Sequence, residues 1–362
     1  MRILDKYILK KFLSSFVLIL MLLLPIAMAI DISEKIDKFL RHANLSFGEI
    51  ARDYYFNFVI IFGNTFMPLA LFIAVIFFTS KIAGNTEVIA IHSAKISFTR
   101  FLKPYFIGAT IIVIFGLTMN HFIVPNSNKT FGAFNKAYLK KNTYNADQLT
   151  NLNLQLGPND YIFIKTYSID RKQGYKFAYE KYDGTKLKYK LLAEQIRWIE
   201  TDTAFKLTNY QKRTIYDDRD EISSGVLLDT VFSFTPDDLV NSDDLAKEMN
   251  SIELSKHIEQ SRKRGVSNLN TYLVEFHKRT SLPISSYILT FLAVSLAAKK
   301  KRGGMGLNLA IGITLMFVYV FLLKIAEVLG AGAETNAFFM VWLPNICFGA
   351  LAVYLYLKNA KN

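Results

Sequence analysis

Charged residues lie beside or inside long apolar runs at two places where they could have a function, and at the first of these the cations could contact lipid phosphates. Lys35, Lys38 and Arg41 follow an apolar run that ends near residue 31, and Lys324 and Glu327 lie three residues apart inside another run. Lys and Arg side chains pair with phosphate oxygens, and a charge within a membrane span indicates a function. The alternative reading is a solvated helix face around Lys35 and a mutually neutralising pair at Lys324 and Glu327.

A third candidate is the polar connection between the second and third apolar runs, around residues 85–97. Glu87 falls in the first turn of a short predicted helix, where the helix dipole favours an acid. The helix is amphipathic, and its apolar positions are Val88, Ile89, Ile91 and Ile96. The pattern indicates either a helix lying at the membrane interface or a docking helix for a cytoplasmic partner.

Motifs for catalysis are missing from the sequence. It has no Gly-rich phosphate loop ending in Gly-Lys-Ser/Thr, no His-Glu-x-x-His and no Gly-x-Ser-x-Gly. Glu275 and His277 lie on different faces of a predicted helix, and Cys347 is the single cysteine, so neither predicts a metal site. We therefore expect no catalytic residue, no metal and no cofactor, and we do not expect an enzyme.

The composition is that of an integral membrane protein. Of 362 residues, 51% are hydrophobic and 14% are aromatic. The net charge of +13 comes from Lys and Arg beside apolar runs, so membrane topology explains it better than nucleic-acid binding. Six runs approach the roughly 20 residues that span a bilayer, at about 12–31, 59–81, 101–124, 281–298, 307–329 and 338–357.

The Lys/Arg bias predicts the orientation. Basic residues cluster at the amino terminus, around Lys95 to Lys103, at Lys299 to Arg302 and at Lys358, and such segments are cytoplasmic. Both termini are then cytoplasmic. A cleaved signal peptide ending near Ala29 is the alternative for the first run, but the helical pattern continues past that point.

An extracytoplasmic domain is predicted at residues 125–270, between transmembrane segments in 1–124 and 271–362. Short alternating stretches predict strands near Tyr161, Tyr175, Leu187, Ile196, Ala204 and Val226 to Phe234. Such strands, with turns between them and no intervening helical pattern, favour an antiparallel sandwich or jelly roll over a parallel sheet, and of the two we expect a β-jellyroll. Residues 236–264 are then charge-rich with helical spacing.

Several blocks together resemble the LptF/LptG permease family of the lipopolysaccharide transport system, over nearly the whole chain. Ala94 and Lys95 depart from the Ala-Gly usual in one block. The blocks are Ile3-Leu-Asp-Lys-Tyr-Ile, Glu87-Val-Ile-Ala-Ile-His-Ser-Ala-Lys-Ile-Ser, His277-Lys-Arg-Thr-Ser-Leu-Pro, Arg302-Gly-Gly and Trp342-Leu-Pro-Asn. The two members of a permease pair share these blocks, so the resemblance does not decide between them, and we lean toward the LptG-like one.

The resemblance implies a permease subunit of an ABC exporter that extracts lipopolysaccharide from the inner membrane. Its partners would be a cytoplasmic ATPase dimer that binds ATP, a second permease of the family, and a periplasmic jellyroll bridge, with lipopolysaccharide and membrane lipid as ligands and no nucleic acid. The resemblance implies a coupling helix at about 84–98, in which Glu87, Val88, Ile91 and His92 would meet the ATPase. It also implies that spans one and five form a lateral gate.

By the same resemblance, Lys35, Lys38 and Arg41 become candidate contacts for the lipid phosphates. Lys324 and Glu327 are further candidate residues for binding the lipid. A different class of function remains open from the residues alone. The chain could be a membrane-anchored sensor or assembly scaffold whose external β domain binds a ligand, and its charged pairs would then be purely structural.

Overall fold

Six long apolar helices and one antiparallel sheet make up the computed structural model. The structure describes residues 3–42, 45–139, 148–157, 159–169, 171–201, 203–216, 218–232, 234–239, 242–264, 269–298, 304–332 and 335–360. The helices long and apolar enough to cross a membrane are Ile3–Leu40, Phe47–Gly84, Phe98–Leu139, Leu269–Ala297, Gly304–Gly330 and Ala337–Lys358. The predicted class, six transmembrane helices with an inserted β domain, is confirmed.

The chain folds into two compact units. The first contains residues 1–134, 274–330 and 335–362, and the second contains 135–273 and 331–334. The helices are α1 (Ile3–Leu40), α2 (Phe47–Glu49), α3 (Phe56–Gly84), α4 (Glu87–Ser93), α5 (Phe98–Thr118), α6 (Val124–Phe134), α7 (Pro236–Leu239), α8 (Ser242–Glu248), α9 (Ser251–Arg264), α10 (Leu269–Ala297), α11 (Gly304–Gly330) and α12 (Ala337–Ala360).

Two spanning helices run well past their apolar runs. Helix α1 continues to Leu40, and the helix that begins with α5 continues through a π-helical turn at Met119–Ile123 into α6. The extension through α6 was not predicted, because polar residues follow position 124. Phe131 and Phe134 nevertheless pack on the Tyr54 ring, at 4.7 and 5.3 Å between ring centroids. These aromatic contacts give the polar continuation a buried face.

Helix α3 is the central helix of the first unit. Its side chains Leu71, Phe72 and Val75 are fully buried, and α1 and α11 both pack against it. Helix α1 buries Phe12 but leaves Met21 69% exposed. An apolar surface of this kind faces lipid or another protein, so α1 and α11 pack on α3 with one side and expose the other.

Gly108 allows α1 and α5 to approach closely. A Cβ at this position would lie 2.3 and 2.4 Å from two ring carbons of Phe12, which is fully buried. We expect Gly108→Ala to push the helices apart at a cost of about 1–3 kcal/mol. Thermal unfolding of the detergent-solubilised chain, followed by its loss of monodispersity, measures the effect.

Gly349 in α12 is the matched control, because a Cβ there meets nothing within 4 Å. Gly349→Ala gains helix propensity of about 1 kcal/mol without a clash and is expected to leave the melting temperature unchanged or slightly raised. Equal melting temperatures for the two variants would show that α1 and α5 are not packed through Gly108.

The second unit contains one six-stranded antiparallel sheet in the order β1-β2-β3-β4-β5-β6. The strands are β1 (Gln148–Gly157), β2 (Asp160–Ser168), β3 (Gln173–Asp183), β4 (Lys186–Ile199), β5 (Ala204–Ile215) and β6 (Asp220–Thr230). A jelly roll divides its strands between two sheets, whereas the described strands share one sheet and each pairs with its neighbour in sequence.

One face of this sheet carries the apolar core of the second unit. Ile164, Phe177 and Phe205 are almost fully buried there, and Phe234, from the segment after β6, packs on Phe205 with ring centroids 4.7 Å apart. The polar segment that follows contains α7, α8 and α9, so the helical prediction for residues 236–264 is confirmed in its described part.

Candidate functional site

The short helix α4 between the second and third spans presents one apolar side chain to the outside. Val88 is 4% exposed within the core of the first unit, and Ile91 packs against the same core. Ile89 is 55% exposed. Of the four residues expected to meet a partner, Val88 and Ile91 therefore contact their own chain, Glu87 is half-buried, and the side chain of His92 lies outside the described residues.

Tight turns at both ends fix the orientation of α4. Thr86 and Lys95 have φ of 64° and 56°, a left-handed conformation that is unfavourable for a β-branched residue such as Thr86. The Glu87 carboxylate accepts hydrogen bonds from the Tyr7 hydroxyl at 3.1 Å and the Asn85 amide at 3.4 Å. Such strained conformations concentrate at functional sites, and here they hold Ile89 outward.

The carboxyl-terminal end of α1 contains a closed polar cluster. The Lys35 ammonium lies 2.5 Å from Asp31, and it also hydrogen-bonds the Tyr54 hydroxyl. Tyr54 and Tyr55 donate to Asp31 at 3.0 and 3.4 Å from the π-helical segment Ile50–Tyr55. The Lys35 side chain is only 24% exposed. Lys35, expected to meet lipid phosphate, is therefore bound within its own chain.

Lys38 and Arg41 differ from Lys35, because both are exposed. They continue the outer face of α1 beyond a shallow depression of about 430 Å³, which is lined by Ile26, Ala29, Ile30, Ser33 and Glu34. The apolar part of this depression would suit an acyl chain, and the exposed cations beyond its polar end at Ser33 and Glu34 would suit a phosphate. Of the three predicted cations, Lys35 therefore belongs to an internal cluster, whereas Lys38 and Arg41 lie on an exposed surface.

The predicted pair in α11 belongs to a larger ion cluster. Glu327 accepts from Lys324 at 2.8 Å, and its other oxygen lies 2.8 Å from the Lys278 ammonium of α10. The side chain of Glu327 is 22% exposed, whereas that of Lys324 is 67% exposed. Glu327 thus joins α11 to α10, and Lys324 is the member of the cluster that an external anion can reach.

Sequence reasoning missed Arg279 in α10. It is 1% exposed, and its guanidinium donates to Glu275 at 3.2 Å. The sequence signal for this ion pair was the spacing of four residues between the acid Glu275 and the base Arg279, which brings the two onto one helix face. In the part of the chain that the structure describes, no three His, Cys, Asp or Glu side chains converge as metal ligands.

An open depression of about 470 Å³ lies on the sheet of the second unit. Glu180 there lies 2.8 Å from Lys190 and accepts from the Tyr182 hydroxyl at 2.9 Å. The hydrogen bond from Lys190 lowers the pKa of the Glu180 carboxyl. The charges in this depression are internally paired, so it offers no free cation for a phosphate among its described lining residues.

A family model described as the lipopolysaccharide export system permease LptF/LptG matches residues 6–358. The matched range includes the six spanning helices and the inserted sheet. No match was found among curated proteins.

Proposed function

We propose that this chain, which belongs to the LptF/LptG family of permeases, extracts lipopolysaccharide from the inner membrane with energy from a separate ATPase subunit. As a member of that family, the chain is a multi-pass inner-membrane component of the lipopolysaccharide export system. The observation that carries the proposal is the family match over residues 6–358. Members of the family are transport permeases and not enzymes, so the ATP would be bound by the partner.

The proposed orientation places both termini and α4 in the cytoplasm and the sheet in the periplasm, supported by the basic residues beside α4. Labelling with a membrane-impermeant maleimide tests it in a Cys347→Ala background, since Cys347 is the single cysteine. In spheroplasts, a cysteine at Thr185 between β3 and β4 is expected to react and one at Ser93 in α4 is not. The reverse pattern contradicts this orientation.

Helix α4 is the proposed docking element for the ATPase. Its support is the exposed Ile89 between two left-handed turns that hold it outward. Ile89 and the exposed Ala90 beside it offer a small apolar surface, and the centre of a protein interface is more apolar than its rim. Glu87 lies in the first turn of the same helix, where a donor from the partner reaches it.

The proposed lipid path begins on the exposed face of α1. Its support is the depression lined by Ile26 and Ile30, followed by exposed Lys38 and Arg41. Lys324 of α11 offers a further exposed ammonium. These cations would pair with lipid phosphates, and the second unit would then pass the lipid to a periplasmic bridge protein.

Affinity purification of the tagged chain from its native membrane tests the function. We expect recovery of a cytoplasmic ATPase together with a second permease of the same family. Purification of the chain without an ATPase, together with wild-type lipopolysaccharide export in cells lacking that ATPase, would overturn the proposal in favour of a scaffold.

A further inference from the structure

Tyr7 connects the proposed docking helix to α1. Its hydroxyl donates to Glu87 Oε2 at 3.1 Å, across 80 positions of the sequence. Tyr7 is 39% exposed, so the hydrogen bond lies at the surface of the first unit. A donor brought to Glu87 by a partner would compete with the Tyr7 hydroxyl for the same carboxylate.

The same end of α1 is held more firmly to α5. Both carboxylate oxygens of Asp5 accept from the Arg100 guanidinium, at 2.7 and 2.8 Å, and Asp5 is 3% exposed. A buried bidentate pair is strong and geometrically specific, whereas a single exposed hydrogen bond exchanges readily. Of these two contacts, the one between Tyr7 and Glu87 is therefore the one that partner docking can change.

Helix α1 connects Tyr7 to the other end of the first span. It has 38 residues, with Pro25 inside it, which at about 1.5 Å per residue is roughly 57 Å. Its far end carries the Asp31–Lys35–Tyr54 cluster and the exposed Lys38. One helix therefore joins the contact with α4 to the surface proposed to bind lipid.

We infer that Tyr7 is a positioning residue for energy coupling, which links Glu87 to α1 so that docking of the ATPase on α4 alters α1. The inference rests on the proposed docking of α4. Tyr7 lies on α1 and not on the docking helix α4, so its hydroxyl is expected to matter for how much lipid moves per ATP hydrolysed, and not for capture of the ATPase.

The test uses Tyr7→Phe in the full complex, reconstituted in vesicles that contain lipopolysaccharide. We expect ATPase capture and ATP hydrolysis close to wild type, and lipopolysaccharide release per ATP reduced about threefold to tenfold, the effect of one ordinary, solvent-exposed hydrogen bond. Tyr287→Phe is the matched control, because it also removes one tyrosine hydroxyl of the first unit, which donates to Thr110 at 2.9 Å and not to Glu87. Its release per ATP should equal that of the wild type.

A double-mutant cycle with Glu87→Gln shows whether the hydroxyl acts through Glu87. Tyr7→Phe/Glu87→Gln should release no less lipid per ATP than Glu87→Gln alone. Wild-type release per ATP in Tyr7→Phe would overturn the inference while leaving docking intact. If α4 does not dock the ATPase, the result is different, because the Ile89→Asp variant then still captures the ATPase.

Discussion

Replacement of Ile89 by Asp is expected to abolish recovery of the ATPase with the permease. Ile89 is 55% exposed on α4, whereas Val88 beside it is buried in its own chain. Burying an isoleucine in an interface contributes about 1.5–3 kcal/mol, and the aspartate adds an unpaired charge there. The affinity should fall about 100-fold or more. Co-purification and ATPase activity of the membrane complex measure the loss.

The control is Ile252→Asp, the same change at a 64% exposed isoleucine of the second unit. It should leave ATPase recovery at the wild-type level. Glu87→Arg tests the same docking surface through charge and should also uncouple the ATPase while the spans remain inserted. Normal ATPase recovery by both Ile89→Asp and Glu87→Arg would show that α4 is not the docking element.

Reversal of the charge at Glu327 is expected to destabilise the pair of helices α10 and α11. Glu327 lies 2.8 Å from both Lys278 and Lys324, so Glu327→Lys would bring three ammonium groups together in a partly buried site. Removing the charge alone, in Glu327→Gln, should cost about 1–3 kcal/mol. Because Lys324 is mostly exposed, water screens its attraction to Glu327. The stability lost in Glu327→Gln therefore comes mainly from the ion pair with Lys278.

Thermal unfolding in detergent and the amount of monodisperse protein measure both Glu327 variants. We expect the order wild type, Glu327→Gln, Glu327→Lys from most to least stable. Glu221→Lys, at an exposed acid of β6, controls for the change in net charge and should melt as the wild type does. A Glu327→Lys variant as stable as Glu221→Lys would show that the ion cluster does not hold α10 to α11.

The spans and the β insertion were predictable because each is encoded locally. Runs of about 20 apolar residues indicate helices in a bilayer, and alternation indicates strands. Strand β1 was missed although Leu152, Leu154 and Leu156 alternate with polar residues. The two stretches near Leu187 and Ile196 proved to be one strand, β4, because no turn residue separates them.

The contacts of the candidate site could not be predicted, since they depend on which helices become neighbours. Lys35 looked available for phosphate, but Tyr54 and Tyr55 of another helix complete its cluster with Asp31. The amphipathic pattern of α4 identified Val88 and Ile89 alike as apolar, and only the packing on the bundle shows which one remains exposed.

ATP-driven transfer of lipopolysaccharide from proteoliposomes to a soluble periplasmic bridge protein tests the central claim most directly. The vesicles would contain this chain, the second permease and the ATPase, with the Ile89→Asp variant run beside the wild type. We predict transfer that requires ATP hydrolysis and is lost in Ile89→Asp. Equal transfer by the wild type and the variant, or transfer by the wild type without ATP, would contradict the claim that this chain couples a separate ATPase to lipid export.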